Sequence, residues 1–268
     1  MGFGQALVDA GQRLGRLCVG IDPHPALLDS WGVGDNVDGL RAFSLRCVEA
    51  FAGRVAVVKP QVAFYERYGA AGFFVLEETL AALRESHCLS IADAKRGDIG
   101  STMEGYARAW LEPGSPLEAD ALTLTAYLGV GSLAPAIERA QVSGKGVFVM
   151  AANSNPEAEH FQSQEIGGTT IAQFMVDACS AYNTGKSGVG DVGVVVGATV
   201  RTPPDLESLN GPVLMPGVGA QGATFADVDR VAGRVRDLVF PSVSRSVLSA
   251  GPSVADLRKR VATCLSRA

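Results

Sequence analysis

Short apolar runs alternate with longer amphipathic stretches along the whole chain. Eight of these runs combine β-branched and other apolar residues over a few positions, as β-strands do. Several are apolar at consecutive positions, which is typical of strands buried on both faces of a parallel sheet. The predicted strands span residues 17–21, 55–59, 88–92, 121–125, 146–150, 191–196, 213–215 and 238–240.

The stretches between the strands have the spacing of amphipathic helices. Pro203 and Pro204 followed by Asp205 form one favourable helix start. Two polar segments, 155–168 and 183–190, are predicted to be long loops. The predicted helices span residues 40–51, 73–85, 102–110, 133–141, 169–181, 204–209, 224–231 and 252–265.

Eight strand–helix units over about 250 residues match the number and size of an α/β fold of the (β/α)8 or TIM barrel type. An open, doubly wound sheet is the alternative, because a strand count from one sequence is error-prone. No linker rich in proline, serine or charge divides the chain, so we predict one domain over residues 1–268. In such a barrel the active site lies at the C-terminal ends of the strands.

Composition narrows the class of protein. Hydrophobic residues make up 47% of the chain and charged residues 19%, which excludes a disordered chain. A formal net charge of −5 argues against a broad surface for nucleic acid or an anionic membrane. Five scattered cysteines without a C-x-x-C pair predict reduced thiols in a cytoplasmic protein. Neither a signal peptide nor a membrane span is expected, because no sufficiently long apolar stretch occurs.

Charged residues stand at the ends of several predicted strands. Asp22 follows the first strand, and Lys59 ends the second. Asp93 and Lys95 follow the third strand, and Arg245 follows the eighth. Each residue alone has an ordinary explanation as a helix cap or a solvated loop charge. The same pattern at four strand ends favours a functional site at the mouth of the barrel.

Charge is densest after the third strand, where residues 93–98 read DAKRGD. Residues two apart on an extended strand share a face, so Asp93 and Lys95 are predicted to point into the barrel mouth together. A lysine flanked by carboxylates stays protonated, and the carboxylates stay ionised. Such an array suits a proton donor to a developing carbanion.

Two glycine-containing segments match nucleotide-binding signatures only in part. Residues 217–222 fit G-x-G-x-x-G, but they follow the seventh predicted strand, and no acidic residue ends the next one. A phosphate loop of backbone N–H groups after strand seven of a barrel fits better. The segment 185–187 ends like a P-loop, yet Ser180 stands where the motif needs a glycine.

The pattern Asp93-x-Lys95-x-x-Asp98, with Lys59 and Asp22 on the two preceding strands, resembles orotidine 5'-monophosphate decarboxylases. Sugar-phosphate decarboxylases and hexulose-phosphate aldolases of the same suprafamily share D-x-K-x-x-D, so other motifs must support the resemblance. Three further segments are similar to the family's phosphate loop, its strand-eight arginine motif and its pyrimidine-contacting segment. They are 215–222 (MPGVGAQG), 240–247 (FPSVSRSV) and 154–156 (SNP). The amino-acid sequence of the third-strand motif is most similar to that of the bacterial branch of the family, whose members are slightly larger.

This resemblance implies a carboxy-lyase of pyrimidine biosynthesis that converts orotidine 5'-monophosphate to uridine 5'-monophosphate and CO2 without cofactor or metal. Lys95 would give the proton to C6 of the pyrimidine. Asp93 would orient Lys95 and lie near the departing carboxylate. Lys59 would link Asp93 to the ribose hydroxyls.

The same resemblance implies the residues that bind the nucleotide. Asp22 would accept hydrogen bonds from the ribose, and Ser154 would contact the pyrimidine. Gln221 and Arg245 would hold the phosphate, with a backbone N–H near Ser244 assisting.

Members of the family are dimers, so the resemblance implies a homodimer. Asp98, with Ile99 and Thr102, would then reach the site of the neighbouring subunit. Two departures from the family pattern are that Gly100 stands where many members have proline and that Pro60 follows Lys59. Neither removes a functional side chain.

Two other functions stay open at this stage. One is a Mg2+-dependent sugar-phosphate decarboxylase or aldolase, which would need further acidic ligands at strand ends. The other is a non-catalytic phosphosugar-binding barrel, which would need neither Lys95 nor Asp93. The three histidines, His24, His87 and His160, lack the mutual spacing of a metal site, so no metal is predicted. His24 lies beside Asp22 in sequence and could approach the site.

Overall fold

The computed structural model describes residues 1–219 and 222–267. Eight parallel strands close into a barrel in which the first strand pairs with the eighth. The (β/α)8 prediction is therefore confirmed, and the open sheet is excluded. We number these barrel strands one to eight in chain order. They span Cys18–Ile21, Val57–Pro60, Leu89–Arg96, Ala121–Leu124, Gly146–Ala152, Val192–Val196, Val213–Pro216 and Val239–Val243.

Helices surround the barrel and pack their apolar faces on the strands. A two-residue antiparallel hairpin, Glu165–Ile166 with Thr169–Thr170, lies outside it. Two 3-10 helices span Val130–Leu133 and Gly233–Leu238. The α-helices span Phe3–Leu14, Pro25–Ser30, Val37–Phe51, Ala63–Glu66, Gly69–Glu85, Gly100–Leu111, Ala134–Val142, Pro156–Gln162, Ile171–Asn183, Phe225–Ala232, Arg245–Leu248 and Val254–Leu265.

The helix Phe3–Leu14, which the sequence pattern did not predict, closes the amino end of the barrel. Its Phe3 ring packs edge-on against Phe148, with 6.0 Å between ring centroids. The backbone N–H of Gly4 donates to Asp191 Oδ1 at 3.0 Å, just before the sixth strand. Because this end is filled with apolar side chains, the opposite, carboxyl end is the one open to a ligand.

The helix predicted over 204–209 is wrong. Asp205 exchanges two hydrogen bonds with the side chain of Gln173, and Asn183 Nδ2 donates to the carbonyl oxygen of Leu209 at 2.8 Å. The Asp205 carbonyl oxygen, which a helix over 204–209 would pair with the Leu209 N–H, is thus satisfied by a side chain of the helix Ile171–Asn183.

The loop predicted over 155–168 is wrong in part, because it contains the helix Pro156–Gln162 and one strand of the hairpin. None of this helix is buried, so its sequence carries no apolar stripe for periodicity to detect. Within the described residues, no helix has the length and apolar character needed to cross a lipid bilayer.

Candidate active site

The third barrel strand carries an irregularity at the functional motif. Ala92 is in register with Leu122, and Arg96 is in register with Leu124. The third strand therefore advances four residues while the fourth advances two, which is a bulge in the third strand. Lys95 has φ +49°, in the left-handed region that residues with a Cβ seldom adopt. The side chains of Asp93 and Lys95 meet, as predicted, but a bulge brings them together instead of simple strand alternation.

Asp93 is the centre of a charged array. Its Oδ1 accepts from Lys95 Nζ at 2.6 Å and from Thr123 Oγ1 at 3.0 Å. Its Oδ2 accepts from Lys59 Nζ at 2.5 Å and from Gln61 Nε2 at 3.0 Å. Each carboxylate oxygen therefore has one cationic and one neutral donor, which fixes both the position and the charge of a side chain with only 9% exposure.

The charged groups of this array stabilise one another's ionised forms. Burial alone would raise the pKa of Asp93, but Lys59 and Lys95 outweigh it and hold that pKa well below its usual range. Burial alone would lower the pKa of Lys59, yet Asp93 and Asp22 raise it above its ordinary value. The Lys59 side chain is 11% exposed and that of Lys95 is 42% exposed. Lys95 is thus the lysine that is open to a ligand.

A cavity of about 320 Å³ opens at the carboxyl end of the barrel. The Lys59–Asp93–Lys95 array forms part of its wall, and the segment after the seventh strand together with Ser244 and Arg245 forms another part. The size is that of a small-molecule site. The remaining lining residues include Gly20, Asp22, Gln61, Thr123, Met150, Ala152, Asn153, Ser154, Asn155, Val195, Leu214, Ser242 and Val243.

Four cavity-lining side chains carry a buried oxygen without a hydrogen-bond partner among the described residues. They are Asp22 Oδ1, Asn153 Oδ1, Ser242 Oγ and Ser244 Oγ. A buried polar atom left unpaired is costly, so this wall suits a polar ligand that supplies donors. Gly20 lets two of these residues converge, because a Cβ there would lie 3.0 Å from both Asp22 Oδ1 and Ser244 Cβ.

Glycines shape the segment that follows the seventh strand. Gly217 and Gly219 have φ of +113° and +79°, which favours glycine at both positions. A Cβ on Gly219 would lie 3.2 Å from Ser246 Cβ, so the segment packs closely against the short helix Arg245–Leu248. Arg245 begins the short helix after that strand, is exposed, and has no side-chain ion pair with any described residue. Its fork of donors is available to an anion.

Seven of the predicted residues line this cavity: Asp22, Lys59, Asp93, Lys95, Ser154, Ser244 and Arg245. Asp98 and Thr102 do not line it. Asp98 is half-buried, and its carboxylate accepts from the Ile99 N–H at 2.8 Å, while Thr102 is exposed on the first turn of the helix Gly100–Leu111. Gln221 lies outside the described residues. The His24 ring packs at a tilt against Phe64, with 4.2 Å between ring centroids and 59° between their planes, and does not line the cavity.

The sequence analysis did not identify Gln61, Thr123, Asn153 and Ser242 as site residues. Gln61 and Thr123 bond directly to Asp93. The alternation of side chains along a strand could have identified both residues. Gln61 lies two residues after Lys59, and Thr123 is the one hydroxyl residue within the strand Ala121–Leu124. In the part of the chain that the structure describes, no group of three or more His, Cys, Asp or Glu side chains is arranged to hold a metal ion.

The protein is thus a closed (β/α)8 barrel with a charged small-molecule cavity at the carboxyl ends of its strands. The sequence profile of the orotidine 5'-phosphate decarboxylase / HUMPS family matches residues 15–260. The chain belongs to this family.

Full-length relatives agree with this assignment. The chain is 57% identical over 266 residues to an orotidine 5'-phosphate decarboxylase of Corynebacterium glutamicum strain R, covering 98% of this chain and 96% of the relative. The enzyme of the same name from Corynebacterium efficiens is 56% identical, with coverages of 97% and 94%. A crystal structure of a Streptomyces avermitilis protein assigned as orotidine 5'-phosphate decarboxylase superposes with a TM-score of 0.96 at 48% identity, with coverages of 99% and 94%.

Proposed function

We propose that the protein converts orotidine 5'-monophosphate to uridine 5'-monophosphate and CO2. The observation that carries this function is a cavity lined both by the Lys59–Asp93–Lys95 array and by Arg245, whose side chain forms no ion pair with a described residue. Membership of the family and relatives with this activity in their names support it. Lys95 and Arg245, which both line this cavity, would offer positive charge to the two anionic groups of such a substrate, its carboxylate and its phosphate.

Lys95 is the proton donor in this proposal. The bond between C6 and the carboxylate breaks, CO2 leaves, and the electron pair stays on C6. The Lys95 ammonium stabilises this carbanion and then transfers a proton to C6, after which the amine regains a proton from solvent. Its exposed side chain and its 2.6 Å contact with Asp93 support this role, since the contact orients the ammonium without enclosing it.

The neighbouring charges prepare the site before the substrate enters. Asp93 stays ionised between two lysines and fixes the direction of Lys95. Lys59 is held at 2.5 Å from Asp93, beside Asp22 in the cavity wall, where both could reach ribose hydroxyls. Electrostatic stabilisation that is already oriented costs no reorganisation during the reaction.

The other cavity residues are proposed to bind the nucleotide. Asp22 accepts from the ribose, and Ser154 contacts the pyrimidine. Arg245 and the backbone N–H near Ser244 bind the phosphate together with Gln221. Contacts to the distant phosphate contribute to the rate, because binding energy from remote groups can orient the reacting carbon.

We further propose a cytoplasmic homodimer in which Asp98 and Thr102 complete the partner's site. Both residues follow the third strand, yet neither lines the cavity of its own chain. Ile99, which follows Asp98 in the chain, and Tyr127 and Leu128, which follow the fourth strand, expose apolar side chains, with 61%, 80% and 56% exposure. A subunit interface would bury them. The five free thiols favour the reducing cytoplasm.

A spectrophotometric assay with orotidine 5'-monophosphate in EDTA tests the function. We expect turnover without added metal and a loss of about 100-fold or more in kcat for Lys95→Ala. Turnover that required Mg2+ would favour the sugar-phosphate decarboxylase or aldolase alternative. Binding of the nucleotide without turnover would favour the non-catalytic barrel.

A further inference from the structure

The hydroxyl of Thr123 bonds both residues of the proposed proton-donating pair. Thr123 lies on the fourth barrel strand, is 1% exposed overall and lines the cavity. Its Oγ1 accepts from the backbone N–H of Lys95 at 3.0 Å and lies 3.0 Å from Asp93 Oδ1. One side chain on the neighbouring strand thus contacts the main chain of the lysine and the carboxylate that orients it.

The two hydrogen bonds fix the direction of the hydroxyl. A threonine hydroxyl has a single hydrogen and two lone pairs. Because the Lys95 N–H occupies a lone pair, and an ionised Asp93 can only accept, the hydroxyl hydrogen is directed to Asp93 Oδ1. That same oxygen accepts from Lys95 Nζ. The bridge therefore closes a ring that contains both ends of the lysine.

The backbone of Lys95 needs such support. Its φ of +49° is disfavoured for a residue with a Cβ, and such conformations persist only where their surroundings hold them. The register shift between the third and fourth strands removes the ordinary ladder partner at this point. The hydroxyl of Thr123 replaces that partner.

We infer that Thr123 is a positioning residue, which holds the Lys95 ammonium and the Asp93 carboxylate in the arrangement that proton transfer requires. This inference rests on the proposed function. Thr123 acts through these two residues, so its loss should lower the rate of the chemical step more than the affinity for the nucleotide.

Variants that differ in the hydroxyl alone test the inference. Thr123→Val keeps the shape of the side chain, and Thr123→Ser keeps the hydroxyl. We expect kcat to fall about 10- to 100-fold in Thr123→Val, the range for a hydrogen bond to a charged group. The KM for orotidine 5'-monophosphate and the Kd for uridine 5'-monophosphate by calorimetry should change less than about threefold. Thr123→Ser should stay within about threefold of the unaltered protein in kcat.

Thr79→Val is the matched control. Thr79 is fully buried outside the cavity, and its hydroxyl donates to the Val75 carbonyl at 2.7 Å. This variant should lower the Tm and leave kcat unchanged. If Thr123→Val does not fold, Thr123→Ala compared with Thr123→Ser again isolates the hydroxyl.

Three results would overturn the positioning role. They are an unchanged kcat in Thr123→Val or Thr123→Ala, equal losses in the serine and hydroxyl-free variants, and a comparable loss of kcat in Thr79→Val. Absence of turnover by the unaltered protein would instead refute the proposed function, and with it this role.

Discussion

Asp93 shows how a single buried carboxylate can organise a site. It lies between Lys59 and Lys95, so the three side chains together carry one net positive charge at the cavity wall. A buried ion is tolerated when it is paired and its remaining lone pairs are satisfied, which Thr123 and Gln61 accomplish. Although the chain as a whole has a net charge of −5, this local surplus of positive charge favours binding of an anionic substrate.

Asp93→Asn should lower the free energy of unfolding by about 3 kcal/mol at neutral pH, because it leaves the buried Lys59 without its carboxylate. The folded-state pKa of Asp93 is depressed, so its contribution is complete above the unfolded pKa near ~4 and is lost as pH falls below that value. Urea unfolding should therefore give a constant difference between the two proteins from about pH 7 to pH 5, and a smaller one near about pH 3.5.

Asp120→Asn is the control for this measurement. Asp120 Oδ2 accepts from the N–H and the hydroxyl of Ser90, at 2.8 and 2.9 Å, and its carboxylate forms no salt bridge with a lysine in the described part of the chain. Its replacement should cost about 1 kcal/mol. A difference between the unaltered protein and Asp93→Asn that grew as the pH fell would contradict the assigned direction of the Asp93 pKa.

The connection from the third strand to the helix Gly100–Leu111 is the element that presents the motif. Arg96 holds it in place, since its guanidinium bonds Glu66 and lies 5.9 Å from the ring centroid of Trp110. Gly97 packs so closely on the residue after the fourth strand that a Cβ would lie 2.1 Å from the Thr125 carbonyl oxygen. Gly100 has φ +53°, which proline cannot adopt, so a helix start with proline needs a different backbone.

Gly97→Ala should lower stability by about 1 to 3 kcal/mol and reduce kcat, because the backbone two residues after Lys95 must move to admit the methyl group. Thermal unfolding and the decarboxylation assay measure the two effects. Gly105→Ala is the control in the adjoining helix, where a Cβ would meet nothing within 4 Å. It should raise stability by up to about 1 kcal/mol. Equal changes in stability and kcat in the two variants would show that the close packing of Gly97 affects neither.

Much of this architecture could be predicted from the sequence. All eight barrel strands were predicted, because strands buried on both faces of a sheet must be apolar throughout. The clustering of Asp22, Lys59 and Asp93 could be predicted from these strands, because the carboxyl ends of the parallel strands of a barrel converge. The bulge at Lys95 could not be predicted, because the hydroxyl that bonds its backbone N–H lies on the neighbouring strand, 28 residues further along the chain. The helix Phe3–Leu14 was missed because it closes the barrel outside the repeating strand–helix unit.

At the scale of the whole molecule, the two ends of the barrel differ in character. Apolar side chains fill the amino end beneath the helix Phe3–Leu14, and the carboxyl end carries the charged array and the cavity. Asp98 follows the same strand as Asp93 but lies beyond this cavity, next to the exposed Ile99. In the dimer proposed above, Asp98 of the second copy would add a carboxylate to this cavity, which Asp98 of the same chain does not line.

Mixing two inactive variants tests this arrangement. In a hybrid of Lys95→Ala and Asp98→Ala subunits, one of the two sites combines an intact Lys95 with the intact Asp98 of the other chain. Random exchange makes half of the dimers hybrids, so about a quarter of the unaltered activity should return. Lys95→Ala mixed with Lys59→Ala is the control, because both residues line the cavity of their own chain and every hybrid site stays defective. If mass spectrometry shows hybrids but no activity returns, Asp98 does not act across the interface, and its distance from the cavity reflects a structural role within its own loop.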